Sequence, residues 1–284
     1  MKLRNKKIVF LFLIQALVVS AVISIIKNDG YYKRFNIIGL NTELINIIDN
    51  SKYEKKRTDF IKNLKNVKNI NYGNIKVLII GNSFADDIYN SFILNKNLYK
   101  DFEFNLINKQ IYDFDNSQNE IEGFYENYDF IIIASKYSMR DLKSLSFFSK
   151  PFTNKAKLIV LNQRPMFSQR NKFGGKFSFI DDFIFKNKRF PDDLESFHLE
   201  KMYYKNYQEN HFNVSGFNEK LNEMKLNLNF QIYDLFSYIC DNYSMTCKYR
   251  FNKNIKIYHD YGHFTLDASK YLGKKFFKDG LISK

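Results

Sequence analysis

Two cysteines, three prolines and four histidines are all that 284 residues contain of these types, and each scarcity narrows what the chain can be. So few prolines leave no Pro-rich linker between domains, and no internal repeat is visible. Cys240 and Cys247 have neither a second pair nor suitably placed histidines, which argues against a structural zinc site. His198, His211, His259 and His263 are the whole supply of imidazole bases. No residue pattern points to a metal or an organic cofactor, so none is expected.

In excess is positive charge, a formal +14. Such a balance suits an anionic partner such as nucleic acid, a membrane surface or an acidic glycan. The lysines are scattered among Asn, Phe and Tyr rather than gathered in one stripe, and no nucleic-acid recognition motif is present, so nucleic acid is not an expected partner. With 45% apolar residues the chain is globular and can bury a substantial core.

Charge is missing altogether from residues 8–26, "IVFLFLIQALVVSAVISII". As a helix this run spans about 28 Å, close to the thickness of a hydrocarbon core. The stretch after it offers a poor cleavage site, so an uncleaved single-pass anchor is expected. Lys2, Arg4, Lys6 and Lys7 precede the run and Lys27, Lys33 and Arg34 follow it. The positive-inside rule then places the amino terminus in the cytoplasm and the bulk of the chain outside. In an oxidising compartment Cys240 and Cys247 are a disulfide candidate; the alternative is two buried thiols.

Residues 41–67 place Leu44, Ile47, Ile48, Phe60, Ile61 and Leu64 at roughly helical spacing, which predicts one or two amphipathic helices that pack on the domain or link it to the membrane. From Lys76 onward strand-like runs occur at 76–80, 103–107, 129–134 and 157–161, separated by segments long enough for helical crossovers. Continuous Val, Ile and Leu are what parallel strands buried on both faces require. A doubly wound sheet follows, with ligands at the carboxyl ends of its strands. Residues 192–226 suggest two helices, and "FQIYDLFSYIC" from Phe230 a late strand passing into a helix or loop.

Ser83 lies just past the first of those strand ends. A serine hydroxyl needs a base to remove its proton and a group to orient that base. Asp260 lies three residues before His263 in a short loop containing Gly262, and Thr265 can cap a final helix with Ala268, Leu272 and Phe276 on one face. On such a loop a carboxylate can accept the Nδ1 proton and leave Nε2 free as base. His259 is the rival base, but it adjoins Asp260 and is badly placed to be oriented by it.

"IIGNSFAD", Ile79 to Asp86, and "YHDYGHFT", Tyr258 to Thr265, resemble the first and last blocks of the SGNH (GDSL-like) hydrolase superfamily. More narrowly, the chain is similar to the extracytoplasmic SGNH domain associated with acyltransferase-3 membrane proteins. "DFIIIASKYS", "LIVLNQRPMF", the cysteine pair ahead of the last block, and the apolar span followed by "GYYKRF" carry that likeness, which covers most of residues 20–284. It implies a three-layer α/β/α sandwich with a mainly parallel sheet, preceded by one transmembrane helix. Ser83, His263 and Asp260 take the nucleophile, base and orienting positions. Asn82 stands where the superfamily usually has Asp and Phe84 where this group usually has His. The oxyanion-hole glycine and asparagine of the second and third blocks have no clear counterpart in "EFNLINKQIYD" and "ASKYS". The N–H of Ser83 is one donor, with Lys136 and Asn162 as further oxyanion or substrate candidates.

The resemblance implies a membrane-anchored serine O-acyltransferase that O-acetylates cell-surface polysaccharide or glycan at the bacterial inner (cytoplasmic) membrane, its C-terminal domain extracytoplasmic. Its partners are an acyl donor and a glycan acceptor; since one span cannot carry the donor across, the chain either works with a separate multi-span membrane acyltransferase or is a fragment of a longer architecture. A carbohydrate esterase of the same fold is the alternative, and a catalytically inactive glycan- or partner-binding domain is the third reading. The expected organisation is an anchor over residues 1–28, a juxtamembrane connector with amphipathic helices over 29–74, and a catalytic domain over 75–284.

Overall fold

The computed structural model describes residues 15, 18–20, 40–66, 73–114, 127–149, 156–167, 178–209, 214–226, 228–252 and 255–283. The apolar run at 8–26 lies outside the described residues except for 15 and 18–20, which are helical, as does the start of the expected connector up to residue 39. Among the described residues no helix is long and apolar enough to cross a membrane.

Four of the apolar runs are strands: β1 (Ile75–Gly81), β2 (Phe102–Asn108), β3 (Phe130–Ile133) and β4 (Lys157–Leu161). The late run after Phe230 supplies a fifth, β5 (Gln231–Tyr233). They form one parallel sheet in the order β2-β1-β3-β4-β5. The order reverses at β1, with β2 on one side and β3 on the other. A crevice therefore opens at the carboxyl ends of β1 and β3.

The helices are α1 (Thr42–Ile48), α2 (Asn50–Asn66), α3 (Ser83–Ile93), α4 (Met139–Ser149), α5 (Phe179–Asn187), α6 (Asp193–Glu209), α7 (Val214–Lys225) and α8 (Leu266–Lys278). Strand alternation sends side chains to both faces of the sheet. Val77, Ile79, Phe104 and Ile132 pack with Ile88 and Phe92 of α3 and with Leu272 and Phe276 of α8. Leu78, Ile80, Ile131 and Val160 pack with Leu142 and Leu145 of α4 and with Phe217 and Leu221 of α7. Each such aliphatic side chain, fully buried, contributes about 2 kcal/mol of transfer free energy. The result is the three-layer sandwich expected from the sequence. Helix α5 and four short strands, β6 (Cys240–Asp241), β7 (Thr246–Cys247), β8 (Arg250–Phe251) and β9 (Ile255–Lys256), were not anticipated by any pattern.

Helices α1 and α2, from the expected connector, pack on the sandwich. Leu44 and Ile48 join the α3–α8 core. Lys256 Nζ, buried between them and α5, donates to Asn50 Oδ1 at 2.7 Å and to Asp181 Oδ1 at 2.6 Å, and Asn50 Nδ2 donates to Asp181 Oδ2 at 2.9 Å. Cys240 and Cys247 face each other across β6 and β7 and are bonded as a disulfide.

Helix α8, capped by Thr265 as the sequence predicts, approaches α3 so closely that a Cβ on Gly273 would stand 2.0 Å from the Ser91 carbonyl oxygen. Tyr99 Oη donates to the Gly273 carbonyl at 2.7 Å, and Asn95 Nδ2 to those of Ser91 and Lys270 at 2.7 and 2.9 Å. Gly273→Ala must therefore push the helices apart. It is expected to lower stability by about 3 kcal/mol, read as a drop in the urea midpoint; an unchanged midpoint would show that the interface has slack.

Candidate active site

The site begins with a turn that only glycine can make. Gly81 ends β1 at φ +151°, and a Cβ there would lie 1.8 Å from the Ala134 carbonyl oxygen at the end of β3. Asn82 follows as the cap of α3. Its Oδ1 accepts from the N–H groups of Phe84 at 3.1 Å and Lys136 at 3.0 Å. Its Nδ2 donates to Gln110 Oε1 and to the Lys136 carbonyl, both at 3.2 Å. One side chain thus registers the ends of β1, β2 and β3, which explains the departure from aspartate: a carboxylate can accept but cannot donate.

Ser83 opens α3 with its hydroxyl toward the loop before α8. His263 Nε2 lies 2.8 Å from Ser83 Oγ, and His263 Nδ1 lies 2.7 Å from Asp260 Oδ2. Asp260 Oδ1 accepts from the N–H groups of Gly262 at 2.9 Å and His263 at 2.7 Å. Burial pushes the Asp260 carboxyl up, but the hydrogen bond and charge of His263 and those two N–H groups outweigh it and hold the carboxyl well below its ordinary range. With Nδ1 donating to Asp260, Nε2 is the nitrogen that can take the Ser83 proton. Phe84 and Tyr261 set ring edges against His263, with centroids 5.4 and 5.5 Å away. Gly262 is closely packed here: a Cβ would stand 3.0 Å from the Phe84 ring and 3.3 Å from the Met166 side chain.

His259 stacks on His263 with centroids 5.9 Å apart and an interplanar angle of 12°. Burial pushes its pKa down to about 4, and its Nε2 is buried without a hydrogen-bond partner among the described residues. The contact to Ser83 belongs to His263. His198 is exposed and bonds the Leu194 carbonyl oxygen through Nδ1 at 2.9 Å; His211 lies outside the described residues.

A charged cluster lies beneath the serine and the histidine. Asp87, four residues after Ser83 and fully buried, accepts from Arg57 Nε at 2.8 Å, Arg164 Nη2 at 2.6 Å and the N–H of Phe264 at 3.1 Å. Burial pushes the Asp87 carboxyl up, but the charges of Arg164 and Arg57 reverse this and hold it below its ordinary range. These three residues were not singled out from the sequence. One signal was present: an aspartate on the apolar face of α3, among Phe84, Ile88 and Ser91, requires a buried cation.

Of the other candidates, Lys136 reaches the site. It is exposed, its backbone is tied to Asn82, and its Nζ lies 5.0 Å from the centre of the Tyr261 ring. Asn162 is engaged elsewhere: its Nδ2 donates to Asp234 Oδ1 at 2.6 Å and its Oδ1 accepts from the N–H groups of Leu235 and Phe236 at 2.8 and 3.2 Å. It organises the exit of β5 and makes no described contact with Ser83 or His263. The N–H of Lys109, after β2, donates to the Gly81 carbonyl at 2.8 Å.

No protein-family model and no curated protein matches the chain. Among solved structures, the chain is similar to the periplasmic domain of a lipopolysaccharide acetyltransferase from Salmonella serovar Paratyphi A. The TM-score is 0.52 at 13% identity, over 75% of this chain and 86% of that one. A candidate acylhydrolase from Bacteroides fragilis aligns with a TM-score of 0.39 at 12% identity, over 81% and 96%. The first likeness is one of fold, a parallel sheet between helical layers, which is the architecture expected from the sequence.

The lowered carboxyls of Asp87 and Asp260 set a pH dependence. The unfolded chain binds protons on both near pH 4 while the folded chain does not, so their stabilisation is present above about pH 5 and is lost as pH falls below about 4. The urea midpoint is expected to drop between about pH 6 and about pH 3, and Asp260→Asn to narrow that drop. Equal midpoints for the wild type at both pH values would contradict the assignment.

Proposed function

We propose that the protein is a serine acyltransferase that moves an acyl group, acetyl foremost, onto a glycan hydroxyl through an acyl-enzyme on Ser83. The observation that carries this reading is the unbroken relay from Ser83 Oγ through His263 to Asp260, at 2.8 and 2.7 Å.

His263 Nε2 takes the Ser83 proton as Oγ bonds to the carbonyl carbon of the donor ester. The tetrahedral oxyanion sits at the positive end of α3, where the N–H of Ser83 is the donor we assign to it. As the oxyanion collapses, the bond to the leaving group breaks and that group takes the proton from His263. An acceptor hydroxyl then gives its proton to His263, attacks the acyl carbon and releases Ser83, which recovers the proton. Asp260 keeps Nδ1 protonated and stabilises the imidazolium formed in each half.

Glycan as acceptor is supported by the acetyltransferase whose periplasmic domain shares the fold, and by the exposed Tyr261 ring with the Lys136 ammonium over it beside His263. That pair suits a sugar face bearing negative charge. The uncharged run at 8–26 supports a single-pass anchor in the cytoplasmic membrane with the domain outside. In that arrangement a separate multi-span membrane protein supplies the acyl donor.

A fluorophosphonate probe is expected to label the wild type and not Ser83→Ala, with Asp260→Asn slowing the reaction by about 10⁴-fold. With radiolabelled acyl donor and acidic glycan, label is expected on the glycan. Release of free acid alone would make the protein an esterase, and failure of the probe to react at Ser83 would leave a binding domain.

A further inference from the structure

We propose that Arg57, Asp87 and Arg164 form a positioning cluster that holds the Ser83 and His263 segments in register, with Arg57 reaching in from α2. The inference rests on the serine-nucleophile reading and assigns it three further residues.

Asp87 lies one helical turn below Ser83 on the same face of α3. Its Oδ2 accepts from the N–H of Phe264, the residue after His263, at 3.1 Å. One carboxylate therefore joins the helix that carries the serine to the loop that carries the histidine. Arg164 grips the same two segments by their rings: its guanidinium lies 3.6 Å from the centre of Phe84, next to Ser83, and 4.1 Å from that of Phe264. Arg57 closes the cluster, with Nε on Asp87 Oδ1 at 2.8 Å and Nη2 on the carbonyl oxygen of Ser83 itself at 2.9 Å. These contacts reach the peptides and rings flanking the serine and the histidine, not their reacting atoms. A displacement of about 1 Å between nucleophile and base can cost on the order of a hundredfold in rate, so this geometry is where such a cluster acts.

The charged and titratable groups facing Asp87 are Arg57 from α2, Arg164 after β4, and Tyr258, His259 and His263 before α8.

The test uses the full chain carrying Arg57→Gln, Arg57→Lys or Asp87→Asn, below the melting range of each variant. It measures the rate of fluorophosphonate labelling at Ser83 at saturating probe. Arg57→Gln is expected to slow labelling by about tenfold to a hundredfold, Arg57→Lys, which keeps the cation, to recover part of the rate, and Asp87→Asn to slow it at least as much as Arg57→Gln. If Asp87→Asn does not fold, the two Arg57 variants still decide. Wild-type labelling in Arg57→Gln, or no recovery in Arg57→Lys, would overturn the proposal. If the wild type itself does not label, the nucleophile reading fails, whereas a labelled wild type with an equally labelled Arg57→Gln overturns the cluster alone.

Discussion

The carboxylate of Asp87 is the interaction on which the site's architecture turns. It is buried with no solvent exposure, a placement that costs several kcal/mol unless the charge is paired and hydrogen-bonded. Arg164, Arg57 and the Phe264 N–H supply that pairing from three separate parts of the chain. Helix α3 with Ser83 at its start, the loop after β4, the loop before α8 and helix α2 are therefore held to one point. None of them can shift without leaving a buried charge uncompensated.

Above that point the sheet sets the chemistry. Reversal of the strand order at β1 opens a crevice, Gly81 lets the ends of β1 and β3 approach, and Asn82 fastens the gap with both ends of its amide. Ser83 follows at the positive end of α3. The same approach that demands glycine at 81 fixes where Lys136 leaves β3, so an exposed cation and the serine share one frame. Packing on both faces of the sheet makes this frame rigid, whereas the Tyr261 and Lys136 side chains at its rim stay open to solvent.

What was legible in the sequence was local. A run of Val, Leu and Ile stopping at Gly81 marks a buried strand, Thr265 a cap, and Asp260 with His263 a pair three residues apart on a short loop; each signal lies within a few residues. The Ser83–His263 contact joins residues far apart in sequence; a serine on the first strand-to-helix turn and an Asp–His pair just before the last helix point to it, and the resemblance of the two blocks agrees. Arg57 was hidden because it sits in a helix crowded with lysine, where an arginine looks like part of a solvated face. Arg164 was hidden between Gln163 and Pro165 in what looks like a loop. The cysteines were legible as a candidate pair, but β6 to β9 are two-residue strands, too short to leave a period. Asn162 was a natural choice by position after β4, yet the exit of β5 offers it an aspartate and two N–H groups that the sequence does not reveal.

In the function we propose, a buried electrostatic clamp, a glycine-dependent turn and an oriented imidazole together prepare Ser83 to carry an acyl unit from donor to acceptor. Intact-mass spectrometry of the protein mixed with an activated acetyl ester and acid-quenched within a single turnover measures this directly. One acetyl group mapping to the Ser83 peptide, absent in Ser83→Ala, is the expected result. An unmodified Ser83, or acetyl groups confined to surface lysines, would contradict it.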